Sequence, residues 1–64
     1  MNEFTENETH LARLMFDAYG AHCDWKAWDG RPMPSWEAVN DAVRSHWCAA
    51  SRAASNFLTS VHAS

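Results

Sequence analysis

Apolar residues recur with helical spacing in two stretches of this chain, and a stiff aromatic segment lies between them. In the first stretch Leu11, Leu14, Met15, Ala18 and Tyr19 share one face of an α-helix. Ala12 and Phe16 widen that face to an arc of roughly 200°. Thr9, His10, Arg13 and Asp17 take the wet side. Thr5-Glu6-Asn7-Glu8 reads as a capping box, in which the Thr hydroxyl accepts the backbone N–H three residues on and the Glu carboxylate returns the bond. Acidic residues at this end also suit the positive pole of the helix dipole. The pattern predicts a helix over about 6–19, stopped by Gly20. So broad an apolar arc on a short helix calls for contact on two sides.

In the second stretch Val43, Trp47, Ala50, Ala54, Phe57 and Val61 follow a 4-3-4-3-4 spacing. This is a heptad-like seam, predicted to lie on a long helix over about 41–60. Ala49, Ala53 and Leu58 sit beside it. The alanines let another helix come close, and the aromatics fill the wider gaps. The seam has two readings. It packs on the first helix, or it joins two copies of the chain as a homodimer. His62-Ala63-Ser64 are expected to fray.

Residues 20–34 connect the two helices. Asp29-Gly30 marks a tight turn, since Gly accepts positive φ and Asp bonds to nearby backbone. Pro32 and Pro34 enforce an extended path. The runs flanking the turn are too short for stable strands, so an irregular loop is expected rather than a hairpin. Ser35 reads as an N-cap for a short helix over 36–39, and Asn40-Asp41 as the restart of the long one. Trp25, Trp28 and Trp36 fall within the dozen residues 25–36. Two of the three are expected to roof the helices, and Arg31 to stack on one of them. The fold class is therefore all-α: a small helical hairpin or bundle, with a Trp/Pro-rich connecting loop folded over the junction.

Sixty-four residues make a single small domain. A chain this short buries only about 60% of its unfolded surface. Four Trp, three Phe and one Tyr supply the bulk of a core, each burying roughly 150–250 Å². The net charge of −3, with five basic residues, gives little power to neutralise phosphates, so direct nucleic-acid binding is disfavoured. Acidic residues lean toward the N-terminal half, but a nucleic-acid mimic would carry a denser acidic face. No signal peptide and no membrane-spanning run is present, and reduced thiols in a cytoplasm are the default.

His22-Cys23 and His46-x-Cys48 offer metal-ligand types. Adjacent residues, and residues two apart on a helix, point in different directions, so neither pair forms half of a zinc tetrahedron. A thiol nucleophile would need an imidazole in reach and a third group to orient it, and the spacing supplies neither. No catalytic residue, metal or cofactor is expected. Cys23 and Cys48 do not make a disulfide framework. Glu37, Asp41 and Arg44 have the spacing of pairs on a solvated helix face.

Leu11-Ala12-Arg13, Phe16-Asp17-Ala18-Tyr19, the run Trp28-Asp29-Gly30-Arg31-Pro32-Met33-Pro34-Ser35-Trp36-Glu37, and Val43-Arg44 with Trp47 and Ala49-Ala50 together resemble small phage and prophage accessory proteins. The shared pattern is a helix, a Trp-Asp-Gly-x-x-x-Pro-x-Trp loop and an Ala-rich second helix, over most of residues 11–50. The resemblance carries no catalytic residues. It implies a protein made in the cytoplasm of an infected bacterium that binds a host protein and blocks it, the class that includes anti-CRISPR and other counter-defence proteins. On that reading the contact falls on Trp25, Trp28 and Arg31 of the loop and on Glu6 and Asp17 of the acidic side of the first helix. The alternative is an assembly protein, a helical homo-oligomer joined through the seam. If Phe57, Leu58 and Val61 stay exposed in the monomer, the tail is where a partner or second copy would dock.

Overall fold

The capping box forms as its sequence demands. In a computed structural model that describes residues 3–63, Thr5 Oγ1 accepts from the Glu8 N–H at 3.1 Å. Glu8 Oε1 in turn accepts from the Thr5 N–H at 2.9 Å. Helix α1 follows as Glu6–His22. Asn40 opens α2, Asp41–Ala63, by accepting the Val43 N–H on its side-chain oxygen at 2.9 Å. Two helices and no strand occur among the described residues, so the fold is an all-α helical hairpin. The helix runs through Ala63, and Ser64 lies outside the described residues. No described helix is long and apolar enough to cross a membrane.

Gly20 does not stop α1. The helix passes through it to His22 and ends in a Schellman arrangement. The Trp25 N–H reaches the Gly20 carbonyl at 2.7 Å, and the Asp24 N–H reaches that of Ala21 at 3.3 Å. Asp24 takes the left-handed position at φ 54° where Gly is usual, and Trp25 follows at φ 55°. Left-handed backbone at a non-glycine costs about 1–2 kcal/mol per residue. The offset comes from where the indole goes. It packs against Gly20, where a Cβ would stand 2.3 Å from the ring, and its centroid is 6.1 Å from that of Phe16. Gly20 is present for close approach, not for helix termination.

The buried line of α1 is Ala12, Phe16 and Gly20. Ala12 and Phe16 are the widened edge of the predicted apolar arc and Gly20 its expected stop, whereas Leu14 and Tyr19 from the main face are about half exposed. The reason is the pattern of sizes along the line. Small Ala12 admits α2, large Phe16 fills the centre, and Gly20 admits Trp25. The Phe16 ring, 2% exposed, meets Trp36 at 5.5 Å and Trp47 at 5.6 Å in edge-to-face contacts. Trp36, Val39 and Cys48 complete the core with Ala12 and Phe16, and Phe4, Met33, Val43 and Trp47 pack against it.

Residues 36–39 form a single turn rather than a short helix. The Ser35 carbonyl accepts from the N–H groups of both Ala38 and Val39 at 3.0 Å, and Asn40 then starts α2 afresh. The turn drives Trp36 and Val39 into the core. Arg44 ties it to α2 by donating to the Trp36 carbonyl at 2.9 Å and by pairing with Asp41.

The helices are antiparallel, so Glu8 lies near Ser51 and Arg52 while Phe16 lies near Trp47. At the crossing Ser51 is fully buried. Its hydroxyl is 2.7 Å from the Glu8 carbonyl and 2.8 Å from the Cys48 carbonyl, and its single proton serves one at a time. The principal extents are 42 × 28 × 15 Å. A thickness of 15 Å is little more than one helix with its side chains, so the hairpin is a single layer.

Two substitutions test this core. Gly20→Ala on an open helix would stabilise by about 1 kcal/mol. Here it is expected to lower the urea midpoint, because the new methyl displaces Trp25; a raised midpoint would show that the indole moves aside freely. Phe16→Ala is expected to cost about 3–5 kcal/mol, a large share of the stability of so small a domain. Circular dichroism should find that variant largely unfolded.

Candidate partner-binding surface

The connector is more ordered than an irregular loop. Gly30 N–H donates to the Ala27 carbonyl at 2.9 Å, and Ala27 N–H donates to the Arg31 carbonyl at 2.8 Å. With Gly30 at φ 85°, this is a three-residue hairpin turn closed by a glycine bulge. One antiparallel bridge, Lys26 with Pro32, follows. Pro32 has no N–H to give, and the flanking bond runs from the Met33 N–H to the Trp25 carbonyl at 2.7 Å. The sequence expectation missed this hairpin because a single bridge is enough when the base of the loop is pinned by Trp25 and Met33.

Trp28 occupies the first corner of that turn and is 98% exposed. Asp29 stiffens the turn beneath it, accepting the Arg31 N–H at 3.1 Å and pairing with Arg31 Nε at 3.2 Å. Arg31 is thus engaged with Asp29, and this replaces the expected stacking on a tryptophan. Trp25 is spent largely on Gly20 and Phe16. Asp17 pairs with Arg13 at 3.8 Å, and Arg13 also reaches Glu37 at 2.6 Å. Glu6 lies in the first turn of α1, eleven residues or about 16 Å of helix from Asp17. The structure therefore groups Trp28 with Arg31 and leaves Glu6 at the far end of the hairpin.

Behind Trp28 lies a cleft of about 510 Å³, walled by Phe16, Tyr19, Ala27, Met33, Pro34, Val39, Val43 and Trp47. Every wall residue is apolar or aromatic. Met33 and Val39 were not named as site residues from sequence, and Pro34 only as a stiffener of the connector; the folding of the connector against α2 brings them there. A second cleft of about 640 Å³ is mixed in character, with Glu3, Phe4, Thr9, Trp36, Asp41, Arg44, Ser45 and Cys48 around it. Its lining holds one thiol and no histidine, and the Cys48 Sγ faces Thr9 Oγ1 at 3.8 Å. Nothing there activates a nucleophile. Cys23 and Cys48 are both free thiols. No cluster of metal-ligating side chains occurs among the described residues.

The seam residues divide between two environments. Val43 and Trp47 are partly buried, with Trp47 also meeting Tyr19 at 5.5 Å. Ala54 is partly buried, and Ala50, Phe57 and Val61 are exposed. Besides Trp47, α2 meets α1 through a row that includes Cys48, Ser51 and Arg52. It carries polar groups, so hydrophobic periodicity did not reveal it.

Glu8 carries the main electrostatic feature. Besides capping α1, its carboxylate takes Arg52 in a two-pronged bond, Oε2 to Nε at 2.8 Å and Oε1 to Nη2 at 3.0 Å. Arg52 also donates to the Glu3 carbonyl at 3.2 Å and lies 4.5 Å from the centre of the Phe4 ring. The bond from Arg52 foremost, and the Thr5 N–H with it, lower the Glu8 pKa from 4.5 to about 2, against a smaller opposing push from desolvation. The same bond raises the Arg52 pKa. This pairing across forty-four positions has no signal in the sequence beyond the capping box.

Comparison with protein-family models, with curated proteins and with solved structures returned no match to this chain. Function is therefore argued from the chain's own geometry.

The Glu8 clamp has a definite pH dependence. A depressed carboxyl pKa contributes stability in full above about 4.5 and loses it as pH falls toward about 2. Urea midpoints of the wild type should fall across that window, and Glu8→Gln should start lower and fall less. Equal slopes in the two proteins would show that the clamp does not couple to folding.

Proposed function

We propose that this chain is a binding protein that inhibits a host protein by stoichiometric steric occlusion, with no turnover and no cofactor. The observation that carries this reading is Trp28. It is an indole exposed over 98% of its surface, held at the corner of a turn fixed by two backbone bonds and the Asp29–Arg31 pair. Exposing an indole to water is unfavourable, and a rigid turn lowers the ordering cost of binding. Tryptophan is also the residue most enriched at binding hot spots. The partner surface that fits is an apolar pocket able to take an indole, with a basic rim facing the net −3 charge of this chain.

The charge pattern supports a protein rather than a nucleic acid as partner. All four arginines are paired inside the chain, Arg13 with Asp17 and Glu37, Arg31 with Asp29, Arg44 with Asp41 and Arg52 with Glu8. Little positive charge is left to bind phosphate. The resemblance to small phage accessory proteins supports a bacterial host protein as the proposed partner, since the counter-defence proteins of that class act by blocking a host component.

A tagged pull-down from bacterial lysate tests this. The expected result is one dominant protein in fixed stoichiometry with the chain. Its affinity should drop by about thirtyfold or more in Trp28→Ala, a variant that keeps its helical circular dichroism. Recovery of the chain alone, or a complex indifferent to Trp28→Ala, would overturn the reading.

A further inference from the structure

Helix α2 carries an apolar face that α1 covers only in part, where Phe16 and Tyr19 meet Trp47. Val43, Trp47, Ala50, Ala54, Phe57 and Val61 lie roughly a third of a turn around α2 from Cys48, Ser51 and Arg52, the row engaged with α1. At its far end Phe57, Leu58 and Val61 are 66%, 53% and 51% exposed. From Ser45 to Val61 the only Lys, Arg, Asp or Glu is Arg52, and Arg52 is folded back on Glu8 and Phe4. A partner laid on this face would bury no free ionised side chain from it. That neutrality fits a surface equally neutral.

The order of sizes along the face identifies the partner. The six positions are symmetric about position 52. Val43 mirrors Val61, Trp47 mirrors Phe57, and Ala50 mirrors Ala54. A two-fold axis at that point, with the two helices antiparallel, sets valine against valine, indole against phenyl ring, and alanine against alanine. Bulky side chains then fill the ends, and the small ones sit where the helices cross. This layering is that of an antiparallel knobs-into-holes pair, and it is self-complementary as a two-fold interface requires. We infer that this face joins two copies of the chain in an antiparallel, two-fold helix pair.

Two further observations agree. The hairpin is one layer, 15 Å through its thinnest direction, whereas a stable core usually lies between two packed layers. A second copy supplies the second layer. The face runs about 27 Å along α2. With side-chain relief, the pair buries roughly 1,000 Å² in all, near the threshold of a specific interface. The dimer is therefore expected to depend on concentration. In it, Phe57 of each copy comes to Trp47 of the other and covers the end of the apolar cleft. This pairing is argued independently of the contact made by Trp28.

Sedimentation equilibrium over a wide concentration range reads the mass directly. The expected result is a rise from the single-chain mass of 7.3 kDa toward twice that value. Phe57→Asp should weaken association by about tenfold or more while the hairpin itself stays folded. The register is read by Ala50→Cys/Ala54→Cys in a Cys23→Ser background, oxidised and mapped by peptide mass. A link from position 50 of one copy to position 54 of the other supports the pair even if Phe57→Asp fails to fold. A single-chain mass at every concentration would overturn the inference. So would assembly beyond two chains, undiminished association of a folded Phe57→Asp, or links joining 54 to 54.

Discussion

The ring of Phe16 touches three indoles at once, and the connectivity of the chain turns on that fact. Trp25 comes from the end of α1, Trp36 from the turn before α2, and Trp47 from α2 itself. The edge-to-face pairs with Trp36 and Trp47 each add about 0.5–1.5 kcal/mol beyond the burial of their area. The larger effect is geometric. Three segments far apart in sequence are held to one point on α1, and the turns between them must take whatever backbone conformation that requires. The left-handed pair Asp24-Trp25 and the lone turn at 36–39 are both consequences of bringing an indole to Phe16.

The other end of the hairpin is held by different chemistry. There Ala12 and Ser51 give the helices close approach, and Glu8 fastens them by serving as cap and ion-pair partner together. Exposed ion pairs contribute little as a rule. This one is two-pronged, shares its carboxylate with the cap, and is flanked by the Phe4 ring, so several weak terms meet in one place. The hairpin thus has an aromatic end and an electrostatic end, and the crossing of small residues lies between them.

Much of this was legible in the sequence, and the parts that were not have a common cause. Local signals read well. The Thr5–Glu8 box, the Asn40 restart, the Asp29-Gly30 turn and the helical class all follow from residues within a few positions of each other. Signals with two physical meanings read poorly. Gly20 looked like a stop because glycine usually ends helices, but it is there to admit Trp25 and the helix continues. The heptad-like spacing on α2 marked an apolar face without saying what covers it. Pairing of the helices through Ser51 and Arg52 has no hydrophobic signature at all. At the candidate site, Trp28 and Arg31 were visible as turn residues. The apolar cleft behind them was not, because Met33 and Val39 reach it only through the folding of the connector against α2.

Every described residue from Asn56 to His62 is exposed, although α2 continues through Ala63. In a single chain Phe57, Leu58 and Val61 keep half or more of their surface exposed, so packing adds less to these last turns than to the rest of the helix. Isolated helical turns are marginal in water. Amide protons there would exchange by local opening rather than by global unfolding. The far half of the apolar seam is thus the least persistent part of the lone hairpin. Any surface that engages Phe57 and Val61 must also complete the folding of the helix that bears them, and affinity at that end carries an entropic debt that the aromatic end does not.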